Sequence, residues 1–109
     1  MNILEQYNLA LDRRAAQERE KAAQANARGD ERSHSIHLMC ASMLGDMLKA
    51  LGRVQHEGIR PGVLQKQIDA LTAEAQLRSE KGDYDAADRA RVKAETIAWA
   101  QNVLKELEA

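Results

Sequence analysis

Two short turns, Arg28-Gly29-Asp30 and Lys81-Gly82-Asp83, punctuate this chain and constrain its fold more than any other feature. Each closes an alanine-rich polar stretch and opens a more apolar one. Glycine adopts the left-handed conformation that ends a helix. The Asp after it can accept hydrogen bonds from the free amides that begin the next helix. The two turns therefore predict two successive helical hairpins.

Apolar periodicity fills in four helices, over about residues 2–28, 30–56, 61–81 and 84–108. In the first, Leu4, Tyr7, Leu11, Ala15, Ala22 and Ala25 recur at helical spacing. Its second half, Arg13 to Arg28, holds nothing apolar larger than Ala. That half should be helical on propensity but can bury little, so it is expected to project, fray or pack on a second chain. In the second helix, Ile36, Cys40, Met43, Met47, Ala50 and Val54 form a heptad seam. His37, Ala41, Leu44, Leu48 and Leu51 form another seam one residue over. Such a broad stripe asks for at least two neighbours. Gly45, with Ala41 one turn earlier, offers a close backbone approach or a kink.

Glu57-Gly58-Ile59-Arg60-Pro61-Gly62 is the clearest break, since Pro61 suits only the first turn of a new helix. Leu64, Ile68, Leu71 and Ala75 mark one face of the third helix. The fourth carries Ala87, Ala90, Ala94, Ile97, Ala98, Leu104 and Leu107, small residues early and large ones late. At the 53-residue offset of the two glycine turns, Ala22 meets Ala75, Ala41 meets Ala94, Leu44 meets Ile97 and Leu51 meets Leu104. Duplication would produce this, and so would the grammar any two helical hairpins share. No alternating run signals a strand.

Composition limits what the chain can do. With 109 residues it is expected to form one small all-α domain. Hydrophobic residues reach 44% but aromatics only 3%, which suits closely spaced helices rather than a thick globule. A net charge of -1 argues against nucleic acid as a default ligand. The single Cys40 fits a reducing compartment. Residues 1–14 lack the apolar run of a signal peptide, and no stretch approaches the roughly 18 apolar residues of a membrane span. A soluble, cytoplasmic protein is expected.

The candidate chemistry is sparse. His34, His37 and Cys40, with Met39, Met43 and Met47 nearby, offer imidazole, thiolate and thioether to a soft metal. Steps of three rotate the helix by about 60° each, so His34 and Cys40 diverge by about 120°. His37 and Cys40 are the pair that would carry a metal, but no second cluster completes four ligands, and no metal or cofactor is expected. A di-iron site needs Glu-x-x-His on each of two helices, a pair this chain lacks. Glu74 and Glu80 fall on a polar face. Asp83, Asp85 and Asp88 suit the positive end of a helix dipole. Ser33, Ser35 and Ser42 have no nucleophile elbow, and no phosphate loop or dinucleotide fingerprint is present. An enzyme is not expected.

Arg13, Arg14, Arg19 and Lys21 head the most basic stretch, the arm from Arg13 to Arg32, interleaved with Glu18, Glu20, Asp30 and Glu31. Such mixing usually marks a solvated helix face, and the alternative is contact with nucleic acid. After Gly82-Asp83, the run Tyr84-Asp85-x-Ala87-x-x-Ala90-Arg91 resembles the second-helix start of UVR-type helical hairpins, the interaction modules of excision-repair proteins. It is also similar to tetratricopeptide-like hairpins. The likeness covers about ten residues. The upstream helix lacks the methionine and paired alanines of the UVR pattern, and a 53-residue spacing exceeds the tetratricopeptide period of about 34. What the resemblance implies is hairpin-mediated protein binding.

The sequence therefore predicts four helices in two consecutive hairpins and a small helical protein-binding module of adaptor, chaperone or inhibitor type. Two alternatives are a nucleic-acid-associated regulator acting through the Arg13–Arg32 arm and a metal-handling helical bundle. Partners are expected to be an unidentified protein and a second copy, with no membrane. The homodimer is expected to use Met43, Gly45, Met47, Leu48 and Leu51 on the second helix.

Overall fold

The computed structural model describes residues 2–53 and 61–109, with the side chains of 51–53 and 61 outside that description. Four helices follow in order: α1 (Ile3–Ala27), α2 (Glu31–Arg53), α3 (Pro61–Glu80) and α4 (Tyr84–Glu108). α1 packs on α2 and α3 on α4, and each hairpin is a compact unit, Met1–Gly58 and Ile59–Ala109. The fold is all-α with two consecutive hairpins, as expected. Val54, His56 and residues 57–60 of the expected break lie outside the described residues. No helix among the described residues is long and apolar enough to cross a membrane.

Both turns have the same construction. Gly29 and Gly82 take φ of 75° and 81°. Their amides donate to Asn26 and Ser79 carbonyls, each at 3.0 Å. One residue on, the Asp30 and Asp83 amides donate to Ala25 and Arg78 carbonyls, each at 2.9 Å. This is a Schellman closure, which satisfies carbonyls that a helix end leaves open. The same Asp then caps the next helix: Asp30 Oδ1 accepts the Ser33 amide at 3.1 Å, and Asp83 Oδ1 accepts the Ala86 amide at 3.2 Å. One residue thus finishes a helix and starts another, so the chain reverses with no slack. At the start of α1, Asn2 Oδ1 accepts the Glu5 amide at 2.8 Å in the same role.

In the first hairpin, α1 buries Tyr7, Leu11, Ala15, Glu18, Ala22 and Ala25, and α2 buries Cys40, Ala41 and Leu44. The second half of α1 therefore does not project, fray or wait for a second chain. Its alanines form the seam itself, because small side chains let two helices pack close along their length. The α2 stripe is covered unevenly. Ala50 is exposed, and Met43, Met47 and Leu48 are half-buried. At about 100° per residue, Met43 and Met47 share one flank of α2, while Gly45 lies about 160–200° away around the helix. Among the described residues, no atom beyond α2's own nearby backbone lies within 4 Å of where a Gly45 Cβ would stand, so none of them makes a close approach there. α2 runs through Gly45 as continuous helix.

In the second hairpin, Leu64 and Ala75 of α3 meet Ala87, Ala90, Ala94, Ile97, Ala100 and Leu104 of α4. The small residues cluster near the Gly82 turn, as the sequence predicts. Gln101 also lies in this seam, and its Nε2 donates to Gln65 Oε1 of α3 at 3.0 Å. The 53-residue offset holds in the structure: Leu11 and Leu64, Ala22 and Ala75, Ala41 and Ala94, and Leu44 and Ile97 are all buried. The remaining expected match, Leu51 with Leu104, rests on a side chain outside the description.

Candidate functional site

The first hairpin carries a polar cluster inside its seam. Along α1 the buried positions Leu11, Ala15, Glu18, Ala22 and Ala25 step alternately by four and three. Glu18 therefore occupies a core position, and it is only 4% exposed. Opposite it on α2 stands His37, whose Nδ1 lies 2.6 Å from Glu18 Oε2. Arg14, one turn earlier on α1, donates Nε–H to Glu18 Oε1 at 3.1 Å. Both carboxylate oxygens thus have a partner. One turn further along, the Ala22 carbonyl lies 2.8 Å from His34 Nδ1. Two acceptors four residues apart on α1 hold two imidazoles three residues apart on α2.

Burial alone would raise the Glu18 pKa. The hydrogen bonds and charges of His37 and Arg14 outweigh it, so the carboxyl sits below its ordinary value and is ionised near neutrality. That state fixes the tautomers. A carboxylate and a backbone carbonyl can only accept, so Nδ1 of both histidines carries the proton. In a neutral ring so held, Nε2 bears the lone pair. An imidazole anchored at Nδ1 by a carboxylate or carbonyl is the arrangement in which histidine serves as a base or a metal ligand.

The hairpin plan does not require these groups. At the 53-residue offset, Glu18 becomes Leu71, His34 becomes Ala87 and His37 becomes Ala90. Ala87 and Ala90 are buried in the second hairpin. The same architecture is thus built there with alanine at both histidine positions.

The other residues singled out by sequence are dispersed. Cys40 is buried toward the seam, about 60° around α2 from His37. Among the described residues no group of three His, Cys, Asp or Glu is placed to hold a metal ion. Arg13, Arg19 and Lys21 are exposed, whereas Arg14 turns to Glu18. Arg13 and Arg19 diverge by about 120°. Asp85 and Asp88 pair with Arg89 and Arg91 at 2.9 and 2.7 Å, and Glu74 faces Arg78 at 4.0 Å. Glu80 accepts from Gln76 at 3.4 Å. Two open depressions mark the surfaces. One of about 560 Å³ lies by Leu9, Asp12 and Leu48, and one of about 610 Å³ by Thr72, Ser79 and Arg91. Neither gathers convergent reactive groups.

Glu18 is the residue that sequence reasoning missed. Its signal was present: it completes the alternation of four and three between Ala15 and Ala22. As one of many charges in a basic arm it reads as solvated, and only its alignment with His37 shows otherwise. No protein-family model matches this chain, and neither does any curated protein or solved structure.

Proposed function

We propose that this chain is a small helical protein-binding module, of adaptor, chaperone or inhibitor type, that presents helical surface and self-associates through one flank of α2. The observation that carries this reading is the strip Ile36, Met43 and Met47, which is half-buried although the chain is folded. These residues step by seven and four, a spacing that suits a crossing helix. They lie about 60–100° around α2 from Leu44, the residue most deeply set against α1. A second copy presents the same strip, and a two-fold pairing would cover both at once. Methionine suits such a surface because its unbranched side chain adapts to an irregular partner. The acidic residues that could suggest catalysis are committed to caps, ion pairs and, for Glu80, a hydrogen bond from Gln76, which supports a binding role. A single cysteine in the whole sequence fits a cytoplasmic setting.

Sedimentation of two charge variants tests the assignment. Met47→Glu places a carboxylate in the proposed dry seam and should give monomers with unchanged helicity. Leu38→Glu, at an exposed site on the other side of α2, should sediment as the wild type does. Identical sedimentation of both variants and wild type would remove the strip as an interface.

A further inference from the structure

We propose that His34 and His37 form a two-imidazole binding site for a divalent transition-metal ion, with Cu(II) preferred. Each ring is fixed from behind, His34 by the Ala22 carbonyl at 2.8 Å and His37 by Glu18 Oε2 at 2.6 Å. Each ring is thus engaged through Nδ1, which leaves Nε2 as the atom that can face an ion. Neither Nε2 has a hydrogen-bond partner among the described residues. Residues at i and i+3 of a helix have Cβ atoms about 5–6 Å apart, close enough for two imidazoles to share one ion. Both histidines are half-buried, and the His37 side chain is 30% exposed, so the ring edges remain reachable from solvent.

One further feature supports the site. The second hairpin is built with Ala87 and Ala90 at these positions, so packing does not demand the histidines. Water completes the shell of a bound ion. Imidazole ligands suit copper, nickel and zinc, and the general affinity order for divalent ions places Cu(II) first. Cys40 is not a ligand in this site, since it points into the seam, about 120° around α2 from His34.

The experiment is a titration of the full chain with Cu(II), Ni(II) or Zn(II) salts, followed by calorimetry and, for Cu(II), electron paramagnetic resonance. The expected result is one Cu(II) per chain with hyperfine structure from two nitrogens, bound more tightly than Ni(II) or Zn(II). His34→Ala leaves the Glu18–His37 contact intact and should weaken Cu(II) binding about tenfold or more. Glu18→Gln, which loosens the His37 ring without removing a ligand, should weaken it by about 10-fold to 100-fold. The double variant Glu18→Leu/His37→Ala reproduces the pair of the second hairpin and should abolish the two-nitrogen signal while circular dichroism stays helical. Copper binding unaffected by these variants, or one ion per two chains, would overturn the site.

Discussion

Glu18 and His37 meet across the α1–α2 seam at 2.6 Å, at positions where the second hairpin carries Leu71 and Ala90. A carboxylate in an alanine seam is tolerable only while its donors remain. His37→Ala alone should therefore destabilise the first hairpin by about 2 kcal/mol, the scale of a hydrogen bond to a charged group. Adding Glu18→Leu should recover most of that loss. Urea denaturation of the single and double variants measures the coupling, and additive effects would show that the two side chains act independently.

Acid should weaken the same hairpin. The Glu18 pKa is lower folded than its ordinary value of 4.5, because His37 and Arg14 outweigh the effect of burial. Asp30 is likewise lowered from 3.8, first by the Ser33 amide it caps. A lowered carboxyl contributes stability that is complete above its unfolded pKa and is lost as pH falls through the folded value. Melting temperature should hold steady down to about pH 5 and then decline. Glu18→Leu/His37→Ala should decline less steeply over that range.

Tyr7 poses the opposite case. It is 1% exposed, and its hydroxyl has no hydrogen-bond partner among the described residues. Burial pushes its pKa up to about 12. Tyr7→Phe removes an unsatisfied group and should raise stability by about 1 kcal/mol. A raised tyrosine pKa gives stability that is present below pH 10 and lost as pH rises toward the folded value. The variant should accordingly lose less stability between pH 10 and 12 than the wild type. A Tyr7→Phe protein less stable at neutral pH would mean the hydroxyl has a partner.

The two turn glycines should respond alike. Apart from the adjoining residues, nothing among the described residues lies within 4 Å of a Cβ built on Gly29 or Gly82, so substitution there strains only the backbone. With φ of 75° and 81°, Gly29→Ala and Gly82→Ala should each cost about 1–2 kcal/mol. Thermal melts give the readout. An unchanged or raised melting temperature for either would mean that its turn does not depend on the left-handed residue.

Much of the fold was legible in the sequence because it is written locally. Gly29-Asp30 and Gly82-Asp83 specify closure and capping within a few residues, and Tyr84–Glu108 begins and ends where its cap and periodicity place it. The polar second half of α1 was not legible as seam. Alanine reads as weak burial in composition, yet its small size is what lets α1 and α2 close along that half. The Glu18–His37 contact escaped for a related reason. It joins residues 19 apart on different helices, and each was sorted with its sequence neighbours, one among charges and one among soft-metal ligands.

The most direct test of the functional reading is the mass of the wild-type chain in solution. Multi-angle light scattering at micromolar concentration should return twice the 12.1 kDa of one chain, and Met47→Glu should return the single mass. A wild-type protein that is fully helical and scatters as 12.1 kDa would contradict self-association through the Ile36, Met43 and Met47 strip.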